Sequence, residues 1–128
     1  MPSDFYNSFE RHKKDAELLW NSNRWANADH LYGLAAECAL KALLLTQGIQ
    51  ISHRKYKKHI NDLWDQYNRF MQTRSIYLIP TSNPFSNWNI AQRYENEINI
   101  SRSNTQNHRN TVIHIAKIIK QAKRDGIL

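Results

Sequence analysis

The sequence of 128 residues contains few of the residues that interrupt helices, with three glycines and three prolines. Its one cysteine, Cys38, cannot form a disulfide within the chain, and a reducing compartment suits a lone cysteine that acts as a small buried apolar residue. The most apolar segment, residues 34–45, is too short to cross a bilayer and carries Glu37 and Lys41. These absences argue against a disulfide-stabilised secreted domain and against a membrane protein.

Residues 1–14 contain no apolar core, so we expect no secretory signal peptide. With the single cysteine, this predicts a cytoplasmic protein with no membrane partner. A length of 128 residues suits one domain, residues 1–128. Hydrophobic residues make up 41% and charged residues 23%, which is the balance of a folded globular chain and not of a disordered one.

Acidic residues are outnumbered, and the formal net charge is +7. Residues 53–59 contribute +4, and residues 98–128 contribute +5 from six cations less Asp125, so the remainder of the chain carries −2. A localised positive field favours a polyanionic partner. The alternative is a solvated basic surface without a specific ligand. The candidate phosphate contacts are Arg54, Lys55, Lys57, Lys58, Arg102 and Lys117. Tyr56, inside the first group, is a weaker candidate for stacking on a base.

Helical periodicity predicts four main helices in an antiparallel bundle. Their expected ranges are Ser3 or Asp4 to about Asn23, about Arg24 to Gln47, about Tyr56 to Thr73, and about Ser103 to just before Gly126. Gly48 is a suitable residue to end the second helix, and the sequence from Ser103 to Gln106 fits a capping box. Residues 75–87 contain two prolines and predict a loop, and residues 88–97 predict a short extra helix.

The second predicted helix has an extensive apolar surface and is expected to be central. The residues of its main apolar face are Leu31, Leu34, Ala35, Cys38, Ala42 and Leu45, and Leu40, Leu43 and Leu44 extend it. His30, Glu37 and Lys41 form a thin polar line on the same helix, and Gly33 beside them can admit a close neighbour. This line either supports the residues of a neighbouring functional site, or it is an ordinary Glu37–Lys41 pair with a partly exposed histidine. The spacing of histidines and cysteine does not match zinc, so we predict neither a metal nor a cofactor.

The last predicted helix combines a wide apolar arc with a narrow polar strip. The arc comprises Val112, Ile113, Ile115, Ala116, Ile118, Ile119 and Ala122, and the strip comprises Asn110, His114, Lys117 and Gln121. An arc wider than one core contact requires predicts a groove or a subunit interface. Lys117 follows His114 by one turn, and a nearby cation favours the neutral imidazole, which can accept a proton.

Three segments, taken in chain order, resemble the HEPN superfamily of small helical bundles. They are ADHLYGLAAECALKALL at residues 28–44, HINDLW at residues 59–64 and WNIAQRY at residues 88–94. The resemblance extends over most of the chain and implies an all-α, HEPN-like bundle. Many HEPN domains are metal-independent ribonucleases that carry an arginine followed, after four to six residues, by a histidine.

The segment RNTVIH, residues 109–114, matches that ribonuclease pattern. The resemblance implies that Arg109 holds the scissile phosphate, that Asn110 orients it and that His114 moves the proton of the ribose 2′-hydroxyl. The segment RSNTQNH, residues 102–108, also satisfies the spacing. Arg109 and His114 lie about 140° apart on a straight helix, so one chain would have difficulty directing both at one phosphate. The resemblance implies a homodimer in which the sites of the two copies face each other across the interface.

The resemblance thus implies a homodimeric endoribonuclease of the toxin or host-defence kind. Cleavage by attack of the 2′-hydroxyl produces a cyclic phosphate and requires no metal. An antitoxin protein, nucleotidyltransferase-like in some HEPN pairs, is the further partner that it implies. The alternative is a non-catalytic HEPN module that binds a protein, a nucleotide or RNA.

Overall fold

In the computed structural model, residues 3–128 are described, and they form four α-helices and two short 3₁₀ helices with no strand in that range. The α-helices are α1 (Phe5–Asn21), α2 (Trp25–Thr46), α3 (Ile60–Gln72) and α4 (Arg102–Arg124). The 3₁₀ helices are Ile90–Tyr94 and Glu97–Asn99. The first lies within residues 88–97, the segment predicted as a short extra helix, and the second begins at the last residue of that segment. The predicted all-α class and the four main helices are confirmed. Within residues 3–128, none of the helices has the length and apolar content to span a membrane.

Capping groups explain several of the helix ends. The Asp4 side chain accepts a hydrogen bond from the Asn7 amide at 2.9 Å and begins α1, as the sequence predicts. Gly48, with φ of +80°, lies directly after the last turn of α2. The predicted start of α4 was wrong by a small margin. Ser101, and not Ser103, caps this helix, because its side chain accepts from the Asn104 amide at 3.1 Å.

The third helix begins later than predicted, at Ile60 and not at Tyr56. Residues 51–58 form a series of turns, in which the Tyr56 amide donates to the His53 carbonyl at 2.9 Å. The Tyr56 ring is 9% exposed and meets Phe70 of α3 edge-on, with 6.3 Å between the ring centroids. Burial of this side chain therefore anchors the basic loop to the core and leaves Tyr56 unavailable for stacking on a base.

The second helix is the centre of the fold, because it packs against α1, α3 and α4. Its fully buried side chains include Tyr32, Leu40, Leu43 and Leu44. The predicted main apolar face was partly wrong, since Leu45 is 45% exposed, and Leu31 and Leu34 are half-buried. The prediction placed the core on one main face of α2, whereas the helix packs against three other helices.

Side-chain bonds define the relative directions of the helices. At one end Arg109 of α4 bonds to Glu17 of α1, and at the other Lys123 of α4 bonds to Tyr6 of α1. The first and last helices are therefore antiparallel. Helix α1 is also antiparallel to α2, because Tyr32 near the start of α2 bonds to Glu17 near the end of α1. It follows that α2 and α4, which are in contact, run in the same direction.

The segment between α3 and α4 is held down by side chains of the helices. Trp64 and Asn68 of α3 both donate to the Pro80 carbonyl, at 2.7 and 3.0 Å. Phe85 and Trp88 from this segment are buried in the core. A Cβ atom placed on Gly33 would lie 2.0 Å from Cε2 of Trp88, so the absence of a side chain there allows the indole to pack on α2. This is the close neighbour that Gly33 was predicted to admit.

Candidate functional site

The polar strip predicted on α4 is exposed. The side chains of Asn110, His114, Lys117 and Gln121 all face solvent. Ile113 and Ile118, on the two flanks of the strip, are half-buried. Val112, Ile115 and Ile119 on the opposite side of the helix are buried, which confirms the predicted core face. One helix therefore separates a core-facing stripe from an open face that includes two of the three candidate catalytic residues.

The third candidate, Arg109, is attached to α1. Its Nε donates to Oε1 of Glu17 at 2.9 Å, and its Nη2 donates to Oε2 at 3.1 Å. Tyr32 also donates to Oε1, at 2.7 Å, and the Arg109 guanidinium lies 5.6 Å from the centroid of the Trp20 ring. Partial burial raises the pKa of Glu17, but hydrogen bonds from Arg109 and Tyr32 outweigh it and hold that pKa below its ordinary value. The arginine is thus an interhelical clamp whose other edge, at Nη1, lies outside these two bonds.

Within one chain, the structure does not bring Arg109 and His114 together. The Arg109 side chain extends to α1, whereas His114 belongs to the open strip. On a straight helix, residues five positions apart point about 140° away from each other, which explains the divergence. Asn110 shares the open face with His114. A single copy therefore presents an exposed imidazole and amide without the arginine beside them.

In the second match to the arginine–histidine spacing, residues 102–108, the histidine has a structural role. His108 is 1% exposed, and its Nδ1 lies 2.5 Å from Oδ1 of Asp29 on α2. Its Nε2 lies 2.7 Å from the side-chain oxygen of Asn87. Arg102, by contrast, is exposed, with its guanidinium 4.8 Å from the centroid of Trp20. A histidine buried in this way cannot contact an RNA strand, so only the match at residues 109–114 places its histidine at the surface.

Most of the predicted cationic contacts are exposed. Arg54, Lys55, Lys57, Arg102 and Lys117 are exposed, and Lys58 is half-buried. Four of these cations, Arg54, Lys55, Lys57 and Lys58, lie in the turns that precede α3, where the buried Tyr56 anchors the chain. They form a positively charged loop, residues 54–58, on a different element from the strip of α4.

The polar line on α2 is more buried than the sequence predicts. Glu37 is 9% exposed and Lys41 7%, and Nζ of Lys41 lies 2.9 Å from Oε2 of Glu37. The other oxygen of Glu37 lies 2.8 Å from Nδ1 of His59, the residue that directly precedes α3. The sequence predicts no role for His59. Only its position after a lysine pair distinguishes it, because its partner lies 22 positions away in the chain.

His30, the third member of the line, is half-buried beside Trp88. The two rings are stacked, with 6.0 Å between centroids and 12° between planes. Burial lowers the pKa of His30, and nearby Arg93 lowers it further. Its Nδ1 is buried and has no hydrogen-bond partner among residues 3–128.

An open cleft of about 780 Å³ lies beside His30, between the start of α2 and the two 3₁₀ helices. Two arginines, Arg24 and Arg93, and the rings of Trp25 and His30 line it, and Glu95 and Glu97 add negative charge. No sequence motif indicated this cleft, because its walls come from segments far apart in the chain.

Among residues 3–128, no group of three or more histidine, cysteine, aspartate or glutamate side chains is arranged to hold a metal ion. Burial raises the pKa of the Cys38 thiol to about 12, which makes this cysteine a poor thiolate ligand or nucleophile at neutral pH. No family model, no curated protein and no solved structure matches this chain.

Proposed function

We propose that this chain is a HEPN-like endoribonuclease of the toxin or host-defence kind that needs no metal for cleavage. The observation that carries the proposal is the open strip of α4, where His114 and Asn110 are exposed between two half-buried isoleucines. The resemblance of residues 28–44 to HEPN domains and the exposed cationic loop at residues 54–58 support the same proposal. RNA is the proposed substrate, and the cytoplasm is the proposed location.

In the proposed reaction, Nε2 or Nδ1 of His114 accepts the proton of a ribose 2′-hydroxyl. The 2′-oxygen then forms a bond to the adjacent phosphorus, the bond from phosphorus to the 5′-oxygen breaks, and the leaving oxygen takes a proton from water. The products are a 2′,3′-cyclic phosphate and a 5′-hydroxyl. Arg109 stabilises the negative charge on the phosphorus-bound oxygens, and Asn110 orients the phosphate.

The proposed site requires two copies of the chain. Because Arg109 and His114 diverge on α4, one copy cannot direct both at a single phosphate. A two-fold dimer through the strip of α4 would place the arginine of one copy near the histidine of the other. Glu17 occupies the Nε and Nη2 edge of Arg109, so the phosphate would have to bind at the remaining edge.

A second candidate function is a non-catalytic HEPN-like module that binds a protein, a nucleotide or RNA. The ion pair between Arg109 and Glu17 favours it, because a guanidinium already compensated by a carboxylate attracts a phosphate less strongly. In this case the open strip of α4 is an interaction surface. An antitoxin-like protein, which HEPN pairs often have, is a proposed partner for either function.

A cleavage assay with purified protein and a mixed-sequence RNA tests the first candidate. We expect fragments that end in a cyclic phosphate, formed at the same rate with and without a chelator. Intact RNA after incubation with folded wild-type protein would reject the ribonuclease and leave the binding module.

A further inference from the structure

A buried ion pair on α2 holds the imidazole of His59 in a defined position. One oxygen of Glu37 accepts from Nζ of Lys41 at 2.9 Å, and the other lies 2.8 Å from Nδ1 of His59. The side chains of Glu37 and Lys41 are 11% and 9% exposed. Each carboxylate oxygen therefore has a close polar partner in a place from which water is largely excluded, where such bonds are strong.

The imidazole of His59 is the part of this cluster that reaches solvent. Its side chain is 47% exposed, about four times as much as that of Glu37. Since Nδ1 is occupied by the carboxylate, Nε2 is the ring nitrogen left for a ligand. A carboxylate that fixes one nitrogen of a histidine and thereby orients the other is the usual arrangement in sites where an imidazole binds a ligand or transfers a proton.

The charge around His59 favours an anion. Lys41 compensates the charge of Glu37, so the cluster has no net negative charge that would repel an anion. The cations of the loop at residues 54–58 come immediately before it, and the buried Tyr56 holds this loop against α3. Asp62 in the first turn of α3 is exposed and offsets only part of this charge.

Two other histidines come close to the cluster without adding charge to it. Burial, followed by Arg11, lowers the pKa of His12 on α1, although Glu37 acts in the opposite direction. The pKa of His30 on α2 is also lowered, chiefly by burial. The lowered pKa values favour the neutral form of both rings near neutral pH. Neither ring therefore adds a positive charge that would compete with His59 for Glu37 or repel a positive charge at His59.

We infer that His59 is the centre of a phosphate-binding site, built by Glu37 and Lys41 and bordered by the cationic loop of residues 54–58. The ligand chemistry is a phosphate group, either of a free nucleotide or of an RNA strand. Nε2–H of the His59 imidazolium donates to a phosphate oxygen, and the loop cations neutralise the remaining charge. The site uses no residue of α4, and its binding test requires no cleavage, so failure of this inference is distinguishable from failure of the proposed function.

Nuclear magnetic resonance of the full chain with ¹⁵N-labelled histidine rings tests this inference directly. The probes are inorganic phosphate, uridine 3′-monophosphate and a short RNA oligonucleotide. We expect the His59 ring signals to shift and saturate with the nucleotide or the oligonucleotide. His59→Gln should weaken binding about tenfold or more, as loss of a charge-assisted hydrogen bond predicts. His53→Gln is the matched control, because His53 is exposed, directly precedes the loop of residues 54–58, and has no carboxylate paired with its ring among residues 3–128.

The two sources of phosphate give different results. Equal affinity for the mononucleotide and the oligonucleotide assigns the site to a free nucleotide. Tighter binding of the oligonucleotide, weakened when Lys57 and Lys58 are both replaced by alanine, assigns it to a strand. A response to inorganic phosphate alone would overturn the nucleotide assignment.

If the Glu37–His59 contact only fastens the start of α3 to α2, the results differ again. His59→Gln would then lower the free energy of unfolding and leave affinity for every probe unchanged, which overturns the site. Absence of any shift of the wild-type His59 ring has the same consequence. The wild-type titration keeps the test decisive if the His59→Gln chain does not fold.

Discussion

The imidazole Nδ1 of His108 on α4 lies 2.5 Å from Oδ1 of Asp29 on α2, and both side chains are excluded from solvent. The other ring nitrogen faces two acceptors, the Pro84 carbonyl at 3.0 Å and the side-chain oxygen of Asn87 at 2.7 Å. Asp29 also accepts from Gln92 at 2.6 Å. The pair therefore joins α2, α4 and the segment between α3 and α4 through one buried polar network.

We expect His108→Ala to destabilise the protein by about 1–3 kcal/mol, because removal of the imidazole leaves one oxygen of the buried Asp29 carboxylate without its hydrogen-bond partner. Urea denaturation at neutral pH measures this loss. His114→Ala on the same helix is the control and should change stability by less than about 0.5 kcal/mol, since its side chain is exposed. Equal stability of the two variants would contradict a structural role for the network.

Gly33→Ala should destabilise the fold by about 1–3 kcal/mol, the usual result of inserting a methyl group into a well-packed region. The new Cβ would meet the Trp88 indole and disturb the bond from its Nε1 to the Asp29 carbonyl, now 2.9 Å. A double-mutant cycle with Trp88→Leu, followed by urea denaturation, checks the cause. If the two sites are not coupled, the clash is not the origin of the loss.

Stability should decrease as the pH falls below about 6.5, the ordinary pKa of histidine. The pKa of both His12 and His30 is lowered, mainly by burial, so each binds a proton less readily in the folded chain than in the unfolded chain. The stability that this difference gives the folded chain is fully present above the histidine pKa of the unfolded chain. It is lost as the pH falls below that value. The pKa of Glu17 is also lowered in the folded chain, so the stability that it contributes is lost only at pH values below its ordinary pKa of about 4.3.

Urea midpoints at a series of pH values between neutral and mildly acidic conditions measure this dependence. The His12→Gln and His30→Gln double variant should have a flatter profile than wild type over that range. An unchanged profile would show that other groups are responsible for the acid sensitivity.

If the chain is a ribonuclease, His114→Ala should slow cleavage by a factor of about 10² to 10⁴, because a proton carrier is lost. Arg109→Ala should slow it by about 10² through loss of charge stabilisation. Unlike His114→Ala, the arginine variant should also lower stability, because it breaks the clamp to Glu17. Single-turnover cleavage and urea denaturation of each variant separate the two effects.

Glu17→Gln is the matched control for the arginine. It removes the carboxylate charge of the clamp and retains Arg109, so it should reproduce much of the stability loss without the loss of cleavage. Equal cleavage defects in the Glu17 and Arg109 variants would indicate that the arginine acts only through the fold.

The open strip of α4 should form a two-fold dimer that brings the two copies of this helix together. Light scattering at tens of micromolar protein should report twice the mass of one chain. Ile113→Glu, on the flank of the strip, should shift the protein to monomer, because it places a charge in the interface. Leu18→Glu is the control, since Leu18 is 61% exposed on α1. A wild-type monomer would remove both the dimer and the composite site.

Local sequence determined the helices of this protein and the two faces of α4. Spacing of apolar residues along one helix depends only on the helical repeat, which is why Val112, Ile115 and Ile119 could be assigned to the core and His114 to solvent. Gly48 and Gly126 marked helix ends for the same local reason. The start of α3 was missed, because burial of Tyr56 in a turn is a tertiary contact that helical periodicity does not record.

Only the tertiary structure decided which polar residues are paired. Asp29 and His108 are 79 positions apart, Glu17 and Arg109 are 92, and Glu37 and His59 are 22. From sequence alone, a charged residue is predicted to lie at the surface. Burial of its side chain is energetically unfavourable unless packing brings an oppositely charged or polar partner within hydrogen-bond distance. That distance depends on how the four helices pack against one another. The sequence therefore predicts Arg109 and His114 as one set, whereas the fold directs Arg109 to α1 and His114 to solvent.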